Sequence, residues 1–213
     1  MSTKPILYSY YRSSCSWRVR IALALKGIDY EYKAVNLIKD GGEQHSDEYK
    51  KLNPQQKVPT LVIDGNVLTD SISILEYLEE KRPLPPPLLP TDAAARSKVR
   101  TIVNCIASGI QPIQNLAVLQ YLDEDKKSSW PKYWITEGFK GLENILAKTA
   151  GDYCYGDQIT LADLCLVPQV YNAERYGVEM SEFPIISRIN GKLLSHEAFI
   201  NSHPSCQPDT PKI

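Results

Sequence analysis

Read for the spacing of its apolar positions, the chain changes character after residue 82. Up to that point strand-like and helix-like stretches alternate. Pro5–Tyr10 (PILYSY) reads as a short strand, and Ser16–Lys26 has helical spacing, with Trp17, Ile21, Ala24, Leu25 and Ile28 near one face and Gly27 as the stop. Tyr30–Leu37 alternates like a strand, Gly41-Gly42 marks a loop, and Ser46–Leu52 fits a short helix. Thr60–Ile63, the turn Asp64-Gly65-Asn66 and Val67-Leu68 predict a hairpin, and Ser71–Arg82 an amphipathic helix. This order, βαβ then αββα, is a thioredoxin-like pattern: a small mixed sheet with helices on its faces.

Pro83–Pro90 (PLPPPLLP) carries five prolines in eight residues, which predicts a stiff, extended linker. Strand-like alternation is absent beyond it. Helical spacing covers about 92–122, 131–149, 161–176 and 185–199, with Pro112 and Pro168 expected to kink or break two of these stretches. The expected organisation is a thioredoxin-like domain over 1–82, a linker over 83–90 and an all-helical domain over 91–213.

Composition narrows the class. A chain of 213 residues with 43% apolar and 23% charged residues reads as an ordinary globular protein. A formal net charge of -1 gives no electrostatic footprint for nucleic acid or an anionic membrane, so neither is expected as a partner. No uninterrupted apolar run approaches the roughly 18 residues of a membrane span, and the N-terminus lacks a signal-peptide core. Five widely spaced cysteines and no Asn-x-Ser/Thr acceptor point to a reducing, cytosolic setting. Cys105 and Cys165 fall in apolar helical patterns, as inert thiols do. His45, His196 and His203 lack metal-ligand spacing, so no metal is expected.

The chemistry concentrates between the first strand and the first helix, in Arg12-Ser13-Ser14-Cys15-Ser16-Trp17-Arg18. Small hydroxyl and thiol side chains meet the unpaired N–H groups of a helix start there. The helix dipole favours a thiolate at such a place, whether a cysteine's own or a ligand's. Arg12, Arg18 and Arg20 strengthen the expectation of a nearby anion, because cations are unfavourable at that helix end. A plain capping role for Ser13 or Ser14, with solvated arginines, fits the same residues. The missing second cysteine excludes a Cys-x-x-Cys dithiol. Asp70-Ser71 opens the third helix of this domain and could receive an amino-acid head, the hydroxyl and N–H taking a carboxylate and Asp70 an ammonium, or could simply cap the helix. Thr160 and Asp163 read as a structural capping box.

Several stretches together resemble the zeta class of cytosolic glutathione transferases. The most specific is Ser13–Leu23 (SSCSWRVRIAL); others are Val58-Pro59-Thr60-Leu61, Gly109–Pro112 with Gln114-Asn115-Leu116, Asp163–Val170, Asn172–Arg175, and the tail motif from His203-Pro204 to Gln207–Pro211. The resemblance implies a homodimer of the two-domain transferase architecture, with glutathione as cofactor. The implied activity is the glutathione-dependent cis-trans isomerisation of maleylacetoacetate to fumarylacetoacetate in tyrosine and phenylalanine breakdown, with transferase activity on small α-halo acids. Carried over by position, Ser13, Ser14, Cys15, Ser16, Trp17 and Arg18 surround the thiol, the first three as activators. Gln44 and Val58 meet the tripeptide backbone, the latter across a cis Val58–Pro59 bond. Asp70 and Ser71 hold the γ-glutamyl head, and Gln111, Asn115, Leu116 and Ala117 reach in from the helical domain. Arg175 is assigned to a substrate carboxylate and counts among the catalytic residues; Arg12 is expected to share the substrate's carboxylates with it, since a guanidinium matches their geometry. The chain departs from the family pattern with Asp70 in place of a usual Gln and Ala117 in place of a Ser. Two other readings stay open on the residues: Cys15 as the nucleophile of a thioltransferase, and a non-catalytic binding module.

Overall fold

A computed structural model describes residues 4–83 and 85–212; Met1–Thr3, Leu84 of the proline-rich segment and Ile213 lie outside the described residues. The chain divides into two units, Met1–Pro86 with Glu197–Ile213, and Pro87–His196.

The first unit holds β1 (Ile6–Ser9), α1 (Ser14–Leu25), β2 (Glu31–Ala34), α2 (Asp47–Leu52), β3 (Thr60–Ile63), β4 (Asn66–Thr69) and α3 (Ser71–Lys81). Its sheet has the order β2-β1-β3-β4, with β1 parallel to β2 and antiparallel to β3, and β3 antiparallel to β4. The βαβ half supplies the parallel pair through the α1 crossover. The β3–β4 hairpin closes on Asp64 and Gly65, both at positive φ (53° and 75°), as a two-residue turn with that twist requires. Helix α1 stops as the glycine predicts: Gly27 has φ 61°, its N–H donates to the Ala24 carbonyl at 3.1 Å, and the Ile28 N–H reaches the Leu23 carbonyl at 2.9 Å.

Helix α1 is buried from Trp17 through Leu23 on every face, so Arg18 and Arg20 lie in the interior with Val19, Ile21 and Leu23. Leu7, Leu61, Ile74, Leu75 and Leu78 complete the apolar layer from the sheet and α3.

Residues 197–212 belong to this first unit, whereas the sequence pattern groups them with the helical domain. The predicted helix over 185–199 ends early: α8 is Pro184–Leu193, and a separate short helix, α9, covers Glu197–Asn201. The tail then enters the interior of the first unit. The Trp17 indole donates to the Ser202 hydroxyl at 3.0 Å, and Arg20 Nε donates to the Ser202 carbonyl at 3.1 Å. Satisfying these two buried α1 side chains is the physical reason the tail belongs here.

The second unit holds α4 (Ala93–Asn104), α5 (Leu116–Tyr121), α6 (Lys126–Thr149), α7 (Leu161–Arg175) and α8. Where the spacing suggests one helix over 92–122, a π-turn segment (Cys105–Ile110) and a 3-10 segment (Gln111–Gln114) separate α4 from α5. Pro112, which cannot donate its nitrogen to a preceding carbonyl, stands in that 3-10 segment. Ala93–Tyr121 is apolar and long enough to pass for a membrane span by composition, but Val99, Ile102, Val103 and Ile106 are spent on the core of this unit. Pro168 does not break α7, which is continuous through it, and α6 begins five residues before Pro131 and carries it inside. The proline-rich segment is not a free spacer: Leu88 and Leu89 are buried, and the Leu88 carbonyl accepts the Leu161 N–H at 2.9 Å. Asp163 takes the Thr160 N–H (2.8 Å), the Thr160 hydroxyl (3.0 Å) and the Cys154 N–H (2.9 Å), and burial raises its pKa.

Candidate active site

Two helix starts and one turn make the site of the first unit. At the first, Ser13 caps α1, its Oγ accepting the Ser16 N–H at 3.2 Å. Its own hydroxyl proton remains available to an outside acceptor. The N–H groups of Ser14 and Cys15, in the first turn, have no intrahelical acceptor. Cys15 is a half-buried free thiol. Among the described residues this corner offers an anion a hydroxyl, two N–H groups and the positive end of a helix.

The side chains that follow turn elsewhere. Ser16 is buried, and its Oγ has no hydrogen-bond partner among the described residues. Trp17 points at Ser202 and packs edge-on against His203 with ring centroids 5.1 Å apart. Arg18 reaches away to the start of α3. What Ser16 and Trp17 can offer a ligand is therefore backbone only. Arg20 departs from the expectation of a nearby anion for the same reason. Arg20 is not waiting for an anion: it donates to Ser9 Oγ (3.1 Å) and to the carbonyls of Tyr10 (3.3 Å), Tyr11 (2.9 Å) and Ser202 (3.1 Å). Burial pulls its pKa down to about 10, which still leaves it charged at neutral pH. Arg12 is the one of the three that stays partly exposed, its guanidinium 6.0 Å from the centre of the Tyr11 ring.

The second helix start is Asp70-Ser71. Asp70 has φ 68° and caps α3, with Oδ1 accepting the N–H groups of Ile72 (2.9 Å) and Ser73 (3.1 Å). The cap does not use Oδ2. Ser71 is buried, and its Oγ accepts from Arg18 Nη1 at 3.1 Å. A hydroxyl that accepts from a guanidinium turns its own proton outward, and the buried positive charge behind it favours a carboxylate in front.

Between them lies the turn before β3. The Val58–Pro59 bond is cis. The Lys57 carbonyl accepts from both the Tyr49 hydroxyl (2.7 Å) and Asn53 Nδ2 (2.8 Å), and the same two groups contact Thr60 Oγ1 at 3.0 Å each. The N–H and C=O of Val58 make no hydrogen bond within the described residues, as a peptide-binding backbone edge would have it. Gln44 is buried with Nε2 against His45 Nε2 (3.1 Å) and Oε1 without a hydrogen-bond partner among the described residues. Sequence reasoning missed Tyr49 and Asn53. Their residue types carry no signal, since only the fold brings them to the Lys57 carbonyl.

In the second unit, Gln111 heads the 3-10 segment and Asn115 caps α5 by accepting the Ala117 N–H at 3.1 Å, with Leu116 and Ala117 in its first turn. Arg175 ends α7, exposed, stacked 5.2 Å over the Tyr176 ring and donating to Asn172 Oδ1 at 3.3 Å.

Residues 7–86 match the glutathione S-transferase N-terminal domain, and residues 113–190 the corresponding C-terminal domain. The maleylacetoacetate isomerase of Mus musculus is 59% identical over 208 residues, covering 98% of this chain and 96% of that one. A bacterial zeta-class glutathione S-transferase, a maleyl pyruvate isomerase in its holo form, superposes with a TM-score of 0.92 at 42% identity, covering 97% of this chain and 100% of its own. The maleylacetoacetate isomerase of Anaeromyxobacter dehalogenans 2CP-1, with dicarboxyethyl glutathione and citrate bound in its active site, gives 0.87 at 39% identity and 98% of both chains.

Proposed function

Because the chain belongs to the glutathione S-transferases and, among them, to the zeta-class maleylacetoacetate isomerases, we propose that it converts maleylacetoacetate to fumarylacetoacetate with glutathione as cofactor. The observation that carries this is the pair of helix starts: one offers donors to a thiolate at Ser13–Cys15, the other a carboxylate site at Ser71 backed by the Arg18 guanidinium. With the unpaired Val58 peptide groups between, the arrangement suits a short peptide with a γ-glutamyl head and a central thiol.

Glutathione, when bound, would supply a nucleophilic sulfur for reversible addition to the cis double bond, the chemistry that frees that bond to rotate without consuming the cofactor. The protein's part is to hold and to orient. The Ser13 hydroxyl and the N–H groups of Ser14 and Cys15 hydrogen-bond the sulfur and hold it as an anion. Val58 aligns the tripeptide backbone, with Gln44 beside it. The Ser71 hydroxyl and N–H take the α-carboxylate, and Asp70 Oδ2 takes the ammonium. The family resemblance also assigns cofactor contacts to Gln111, Asn115, Leu116 and Ala117. Arg12 and Arg175 pair with the substrate's carboxylates, whose geometry a guanidinium matches. The same reading includes a homodimer, a cytosolic setting, and transferase activity toward α-halo acids, for which the same sulfur would be the nucleophile and the halide the leaving group.

Turnover of maleylacetoacetate, or of maleylacetone, measured with and without glutathione tests the proposal. Conversion should require glutathione and should not consume it. Equal rates without the tripeptide would end this reading. Arg175→Ala should raise KM for carboxylated substrates more than it lowers kcat.

A further inference from the structure

The tail that joins the first unit ends on the corner that carries Ser13. Asp209 Oδ2 accepts the Tyr11 N–H at 2.9 Å, and Oδ1 accepts the Tyr32 hydroxyl at 2.6 Å. From the interior, Arg20 donates to the carbonyls of Tyr11 and Tyr10. The Tyr10 carbonyl also takes the Ser13 N–H at 3.0 Å. Both backbone polar groups of Tyr11 are thus held by side chains, one from α1 and one 198 residues further along the chain.

This matters because of where the corner lies. β1 ends at Ser9 and α1 starts at Ser14. Residues 10–13 have no ladder of their own, so their path is set by what grips their peptide groups. Attaching the tail does not require Asp209, since Ser202 already meets both Trp17 and Arg20. Asp209 lies seven residues beyond Ser202 and is aimed at a peptide N–H two residues before Ser13.

We infer that Asp209 and Arg20 are positioning residues for the thiol-activating corner: they clamp the Tyr10–Tyr11 backbone from two sides and so aim the Ser13 hydroxyl and the first-turn N–H groups at the bound sulfur. The inference rests on the glutathione reading above. Misplacing such a group by about 1 Å costs on the order of a hundredfold in rate. The clamp is geometric. An asparagine at 209 can take the Tyr11 N–H with its oxygen and donate its amide to the Tyr32 oxygen, whereas an alanine can do neither.

The test compares Asp209→Ala, Asp209→Asn and Tyr32→Phe with the unaltered chain. The readouts are the ultraviolet thiolate absorbance of bound glutathione, kcat and KM, thermal melting, and amide hydrogen exchange at Tyr11 and Ser13. Asp209→Ala should lower the thiolate absorbance at neutral pH, cut kcat by roughly ten- to a hundredfold with KM for maleylacetoacetate little changed, and speed exchange at Tyr11 and Ser13. Asp209→Asn should restore all three. Unaltered absorbance and kcat in Asp209→Ala, or an Asp209→Asn as impaired as Asp209→Ala, would overturn the assignment. Should Asp209→Ala fail to fold, Tyr32→Phe decides: a smaller loss of absorbance with normal melting supports the clamp, and unchanged absorbance overturns it. The absorbance needs no substrate. An unaltered chain that shows bound thiolate but does not isomerise maleylacetoacetate therefore defeats the isomerase reading alone, and the clamp is still judged by Asp209→Ala.

Discussion

Arg18 and Ser71 join the two helix starts of the first unit: a guanidinium from the second turn of α1 donates to the hydroxyl of the first residue of α3, 53 residues away, at 3.1 Å. The thiol end and the γ-glutamyl end of the proposed cofactor are thereby tied through one buried side chain. Arg18→Lys should weaken glutathione binding, since the point-like ammonium of a shorter side chain cannot reproduce the planar donor. Binding isotherms of the variant against the unaltered chain check this, and equal affinities would reject the role.

Ser13→Ala removes a helix cap and, in the proposed mechanism, a donor to the sulfur. The cap is worth about 1 kcal/mol of stability. Loss of one preorganised donor to an anion costs roughly a hundredfold in kcat. Melting and steady-state kinetics separate the two effects, because the stability loss alone would leave the folded fraction and its turnover nearly unchanged.

Cys15→Ala separates isomerase from thioltransferase. The proposed mechanism draws on the N–H at position 15, which alanine keeps, so glutathione-dependent isomerisation should persist. A folded variant with no isomerase activity would move the nucleophile from glutathione to Cys15.

Asp70→Asn should leave α3 capped, because asparagine caps as well as aspartate and tolerates the positive φ of 68°. The negative charge for the ligand's ammonium is lost. At an exposed site that charge is worth at most about 1 kcal/mol, so glutathione affinity should fall by up to roughly fivefold, and less at high salt. Titrations at two ionic strengths test it; a salt-independent loss would point to geometry instead.

His203 predicts a pH dependence of the tail. Its Nδ1 accepts the Ser205 N–H at 3.2 Å, and burial, with Arg20 adding to it, lowers its pKa below the ordinary 6.5. The folded state thus favours the neutral ring. Its contribution to stability is intact above pH 6.5 and is lost as pH falls from there through the lowered folded value. Melting curves should show the unaltered chain losing more stability across that window than His203→Asn; parallel curves would remove His203 as the cause.

Much of the first unit can be read from the chain because its signals are local. Gly27 ends α1, Asp64-Gly65 turns the hairpin, and Ser46 and Asp70 cap α2 and α3 where their residue types suggest. Ser13 is legible for the same reason. What the spacing misjudges depends on distant partners. Arg18 and Arg20 look like surface charges until Ser71 and the tail appear beside them, although two arginines inside the apolar run WRVRIAL are a hint of burial. Tyr49, Asn53 and Asp209 give no local sign, since each acts on a backbone group far away or around a turn. Pro168, expected to kink or break its helix, does not break α7, where packing on all sides outweighs the hydrogen bond it forgoes.

The return of residues 197–212 to the first unit also sets an order of events at the ribosome. The strands and helices that present Ser13 emerge first, yet the side chain of Asp209 and the carbonyl of Ser202 are synthesised only after the whole helical unit. A nascent chain halted anywhere before residue 202 carries Arg20 with one of its acceptors still unmade. A chain cut short there has every residue of the sheet and lacks both the Ser202 carbonyl that Arg20 meets and the Asp209 carboxylate that holds the Tyr11 N–H.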